Sequence, residues 1–131
     1  MGAADGCKYE ILDSKTEEES ASVKLLCRFE NGKTVEESYI VDKNGVEILV
    51  KGEGKIGLAL PAFCFDGEKS TEIVLEKRAL SISYEGWTCK YTADSDILDL
   101  GKTTGNRNGH YRAYLASGEN ELSVKIEIFS N

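Results

Sequence analysis

Apolar and polar residues alternate with a period of two along nearly the whole chain, most plainly between Asn106 and Phe129. Tyr111, Ala113 and Leu115 fall in one phase and His110, Arg112 and Tyr114 in the other; Leu122, Val124, Ile126 and Ile128 then alternate with Ser123, Lys125, Glu127 and Phe129. Period two belongs to β-strands. Joined through a four-residue loop, Gly118-Glu-Asn-Glu121, the two arms predict a hairpin with Tyr111 opposite Ile128, Ala113 opposite Ile126 and Leu115 opposite Val124. Its outer face pairs Arg112 with Glu127, Tyr114 with Lys125 and His110 with Phe129, a set with complementary charge and room for a cation–π contact.

The same reading applied from the start predicts a short strand at 8–12, an acidic loop at 13–20, and a strand at 22–30 with Val23, Leu25, Cys27 and Phe29 inward. Asn31-Gly32 and Asn44-Gly45 are tight-turn pairs, so the strands at 34–41 and 46–50 complete a meander. Gly52 to Gly54 interrupts it before a strand at 55–65, in which Pro61 marks an edge or a bend because it has no N–H for a ladder. Asp66-Gly67 turns the chain towards a strand at 71–75. The apolar phase then switches from Leu80, Ile82 and Tyr84 to Trp87, Cys89 and Tyr91 across Glu85-Gly86, which predicts a bulge or a corner between sheets. With a short strand at 97–100 the count reaches about ten, and no segment has helical period. Ten strands that must hide one face predict an all-β fold, an antiparallel two-sheet β-sandwich forming a single domain over 1–131. Its expected core holds Val23, Leu25, Phe29, Leu58, Ile82, Ala113, Val124 and Ile126.

Charge narrows the function. With 16 basic against 23 acidic residues, net −7, the chain has no basic stripe of the kind that nucleic acid or an anionic membrane requires. No apolar run approaches the roughly 20 residues that cross a bilayer, and Met1 to Gly6 does not resemble a signal peptide. Cys7, Cys27, Cys64 and Cys89 lack zinc-site spacing. Cys27 and Cys89 share the phase of their apolar neighbours, so buried free thiols are the expectation and one disulfide is the alternative.

Several residue sets have chemistry to offer. Trp87, the lone tryptophan, suits a sugar platform, but its phase assigns it to the core beside Cys89. Tyr114, Arg112 and His110 on the expected outer hairpin face, with Asn106 and Arg107 on the adjoining turn, are the candidate ligand-binding residues. Asp94, Asp96 and Asp99 gather oxygens that suit calcium, without the glycine and closing glutamate of an EF-hand. His110 is the only histidine, no nucleophile elbow or phosphate-binding loop is present, and no cofactor is implied.

Gly86-Trp-Thr-Cys-Lys-Tyr91, Ile97-Leu-Asp-Leu-Gly101, Asn106-Arg-Asn-Gly-His-Tyr111 and Leu60-Pro-Ala-Phe-Cys-Phe-Asp-Gly67 together resemble the C-terminal β-sandwich module of bacterial heparinase II/III-like, polysaccharide-degrading proteins. In that family catalysis rests mainly on a helical toroid and its neighbouring sandwich, so the resemblance transfers no catalytic residue to this chain. It implies a non-catalytic accessory domain that packs against, or binds polysaccharide beside, a catalytic neighbour. A purely structural or protein-interaction domain is the alternative, and a small enzyme working through carboxylates is the least supported.

Overall fold

The computed structural model describes residues 8–131, except the side chain at 106. Nine strands follow one another: β1 (Lys8–Thr16), β2 (Ser20–Arg28), β3 (Thr34–Asp42), β4 (Gly45–Phe65), β5 (Glu72–Leu75), β6 (Ala79–Tyr84), β7 (Trp87–Ala93), β8 (Ile97–Asn106) and β9 (Gly109–Ser130). Every pairing is antiparallel and no helix occurs among the described residues, so the all-β expectation holds. The hydrogen bonding nevertheless runs through one continuous sheet, β1-β2-β3-β4-β9-β7-β6-β5 with β8 also on β9, where two separate sheets were expected.

The difference lies in two long strands. The segments at 46–50 and 55–65 belong to one 21-residue strand, β4, and the expected final hairpin is one 22-residue strand, β9. β4 and β9 run side by side over their lengths, and their register slips twice, between Lys51 and Lys55 in the middle and between Phe63 and Phe65 at the end. On the β9 side the first slip faces Asn120, whose φ is +64° and whose Oδ1 accepts the Gly54 N–H at 2.8 Å. Gly118 to Glu121 is therefore a kink where both strands bend together, and not a loop. Bulges and turns draw on the same residues, glycine and asparagine above all, because both need unusual φ values.

Loss of the hairpin also resets the faces. Positions paired across neighbouring strands share a face, and the rows Ile48–Val124–Ala93 and Leu60–Tyr114 place the even-numbered residues of β4 and β9 inward. Ile48, Val50, Leu58, Leu60, Ala62, Tyr114, Ala116, Leu122 and Val124 are buried there, together with Leu80 and Ile82 of β6, Ala93 of β7 and Ile97 of β8. Each valine, leucine or isoleucine among them taken fully from water contributes about 1.5–3 kcal/mol. Of the expected core, Leu58, Ile82 and Val124 are buried, whereas Val23, Leu25, Phe29, Ala113 and Ile126 are half-buried. The first three sit on the wing formed by β1, β2 and β3, which contributes no buried residue to the main core cluster.

The other wing curls back. The Tyr91 hydroxyl donates to the Pro61 carbonyl at 3.1 Å and the Thr71 hydroxyl to that of Phe63 at 2.7 Å, and the rings of Phe63 and Tyr84 meet edge to face at 5.3 Å. These bonds reach the side of β4 that has no ladder past Gly52, which is where Pro61 is tolerated. Glu85-Gly86 is a two-residue hairpin turn closed by Tyr84 and Trp87, with φ of +49° and +82°, and not a corner between sheets. Trp87 keeps the inward phase but stands at the end of the sheet and is 57% exposed, so the core assignment fails there.

Cys27 is buried and disulfide-bonded, contrary to the free-thiol expectation, while Cys64 and Cys89 are free and half-buried; Cys7 lies outside the described residues. Burial pushes the Cys89 thiol pKa up.

Asp66 organises the turn after β4. Its Oδ1 accepts the N–H groups of Lys69 and Glu68 at 2.6 and 2.7 Å, and its Oδ2 accepts the Tyr84 hydroxyl at 2.7 Å. The Lys69 N–H, then the Tyr84 hydroxyl and the Glu68 N–H, hold the carboxyl at about 2, against an ordinary 3.8. A carboxyl lowered on folding adds stability that is fully present above its unfolded value and is lost as pH falls towards 2. Asp66→Asn should therefore be less stable than the parent at pH 5 and close the gap as pH falls from about 4 to 2. Urea midpoints of both proteins across that range check this; a gap independent of pH would dissociate the turn from the carboxylate's charge.

Candidate functional site

The residues expected to bind ligand are divided by the structure. Tyr114, in the inward phase opposite Leu60, is 4% exposed and offers no face for stacking, contrary to its expected place on an outer surface. Burial pushes its hydroxyl pKa up. Arg112 lies opposite Ala62 on β4 and Thr103 on β8. Its Nε reaches both carboxylate oxygens of Asp99 at 3.0 Å and its Nη2 one of them at 2.7 Å. This fork lowers the Asp99 pKa and raises that of Arg112, so the expected Arg112–Glu127 pair is replaced by an Arg112–Asp99 pair. His110 is exposed with its ring 5.4 Å from that of Phe65, instead of facing Phe129. Arg107 is exposed on the turn between β8 and β9, where the backbone of Asn106 pairs with Gly109.

The three aspartates offered for calcium have separate partners. Asp94 accepts the Ser123 N–H at 3.1 Å, Asp96 faces Arg78 at 3.4 Å, and Asp99 holds Arg112. Among the described residues no group of three or more His, Cys, Asp or Glu side chains is arranged to hold a metal ion.

A different site emerges on the inner face of the β1–β3 wing. In β3, Val35, Glu37, Tyr39 and Val41 share one phase, and their partners Cys27, Leu25, Val23 and Ala21 in β2, and Gly52, Val50, Ile48 and Val46 in β4, put that phase on the inner face. Glu37 is thus a half-buried carboxylate set among apolar neighbours. The Tyr39 hydroxyl donates to its Oε2 at 3.3 Å. Burial, followed by the charge of Glu37 and this bond, pushes the Tyr39 pKa to about 12; burial and the same charge raise that of Tyr9. Beyond Glu37 the sheet bends at the Lys51–Lys55 slip, and the bend leaves a groove of about 440 Å³. Val50, Ile56 and Leu58 line it with apolar surface, and Tyr9, Glu37 and Lys55 bring its polar groups. Such a combination orients a ligand through a few hydrogen bonds over an apolar floor. Sequence reasoning overlooked Glu37, although a glutamate in phase with Val35 and Tyr39 is legible as an inward-pointing charge.

No protein-family model matches the sequence, and comparison with characterised proteins finds no similar sequence. The fold does have counterparts among solved structures. The heparan sulfate lyase HepC from Pedobacter heparinus matches with a TM-score of 0.73 at 10% identity, over 95% of this chain and 22% of the lyase. The heparinase III BT4657 gene product matches with a TM-score of 0.69 at 12% identity, over the same 95% and 22%. The chain therefore spans about a fifth of the length of the lyases whose β-fold it shares.

Proposed function

We propose that this chain acts as a non-catalytic accessory β-domain of a polysaccharide-degrading protein and that it holds polysaccharide beside the catalytic part. The observation that carries this reading is the coverage: nearly all of this chain corresponds to about a fifth of two lyases. The chemistry on hand agrees with it. Arg107 and His110, with Arg112 held by Asp99 beside them, would give the β8–β9 end a polar surface for polysaccharide or for the neighbouring catalytic domain.

Affinity electrophoresis of the chain through gels cast with neutral and acidic polysaccharides tests the proposal. Retardation by at least one polysaccharide, without depolymerisation, is the expected result. Depolymerisation would overturn the non-catalytic assignment. Unretarded migration in every gel would favour a purely docking role, the reading for which Trp87 and the 66%-exposed Ile128 at the end of the sheet speak.

A further inference from the structure

We propose that the groove between the β1–β3 wing and the second half of β4 binds an uncharged, hydroxyl-rich sugar segment, with Glu37 as the hydrogen-bond acceptor and Tyr9 as the stacking ring. The inference rests on the polysaccharide-binding reading and adds a site and a ligand class to it. A carboxylate in the inward phase of a sheet loses hydration that apolar neighbours cannot replace. The Tyr39 hydroxyl at 3.3 Å donates to one oxygen of Glu37 and cannot saturate a group with about four acceptor positions. Vicinal sugar hydroxyls are donors spaced to fill the others.

The surroundings fit the rest of a pyranose ring. Tyr9, on the outermost strand, is 41% exposed at the groove, so its ring can meet the C–H face of a sugar while Val50, Ile56 and Leu58 form the floor. Lys55 adds a donor at the bend. A volume of about 440 Å³ lies within the roughly 300–1,000 Å³ usual for small-ligand sites. Charge narrows the class: Glu37 and Lys55 give the groove one charge of each sign and the chain carries −7 overall, so the groove offers sulfate and carboxylate groups no net positive charge, whereas sugar hydroxyls need none.

Calorimetric titration of the whole chain with neutral gluco-, xylo- and manno-oligosaccharides, and with heparan sulfate oligosaccharides, separates the possibilities. At least one neutral ligand should bind and the sulfated ones should not, with Tyr9→Ala and Glu37→Gln each weakening binding tenfold or more. Tyr9 lies on an exposed strand and Glu37→Gln keeps the side-chain shape, so melting temperatures of both variants should stay within a few degrees of the parent. Neutral binding unaffected by either variant would overturn the groove while leaving polysaccharide binding in place. Tighter binding of the sulfated ligand would overturn the ligand class. No binding of any glycan would remove both this inference and the reading beneath it.

Discussion

Leu122→Ala should destabilise the protein by about 3 kcal/mol, within the roughly 2–5 kcal/mol typical of truncating a fully buried leucine. Leu122 has 0% exposure and faces inward on β9 opposite Val50. It follows the kink directly, so the backbone around it is fixed by the Asn120–Gly54 bond and is poorly placed to close over the void. The loss is a large part of the roughly 5–15 kcal/mol that holds an ordinary domain together. In a chain of this size it should lower the melting temperature by about 10 °C. Ile128→Ala, on the same strand but 66% exposed, should change stability by about 0.5 kcal/mol or less. Both residues share the inward phase of β9, so urea unfolding of the two variants reads how far cover extends along the strand, and comparable losses would mean that its end is packed as closely as its middle.

Gly45→Ala should be as severe for a different reason. Gly45 opens β4 with a φ of +142°, and a Cβ there would run into the backbone carbonyl oxygen of Ile126 on β9. Neither atom can swing aside as a side chain does, so the ladder between β4 and β9 must shift at the point where the sheet is joined. The expected cost is about 3 kcal/mol or more, combining backbone strain with the displaced pairing. Gly54→Ala is the informative comparison. Its φ is +82° but nothing lies within 4 Å of the added carbon, so only the intrinsic left-handed penalty of roughly 1–2 kcal/mol applies. Equal losses at the two positions would show that close approach to Ile126 is not what demands glycine.

Sequence period identified the strands well because each edge-to-edge neighbour imposes the same two-residue repeat, whatever the topology. It could not separate a kink from a turn at Gly118 to Glu121, since glycine, asparagine and glutamate serve either, and only the β4 residues opposite decide between them. That one ambiguity moved Tyr114 from the surface to the core and exchanged the partner of Arg112. Trp87 was read in the right phase, but its exposure depends on how far the facing elements extend, which no local pattern encodes. Glu37 was readable as a charge in an apolar phase, and its value as a site follows only once the bend at Lys51–Lys55 turns that face into a groove.

β9 is the last of the described strands and lies in the middle of the sheet, between β4 on one side and β7 and β8 on the other. Before it is laid down, β4 and β7 have no ladder joining them, and both present open hydrogen-bonding edges beside unburied apolar residues. The closure that joins them spans much of the chain and therefore comes late, after the local hairpins β2–β3 and β6–β7. During that interval the partly formed sheet is at its most adhesive to other copies of itself. A net charge of −7 makes those copies repel, so the acidity of the chain protects its assembly.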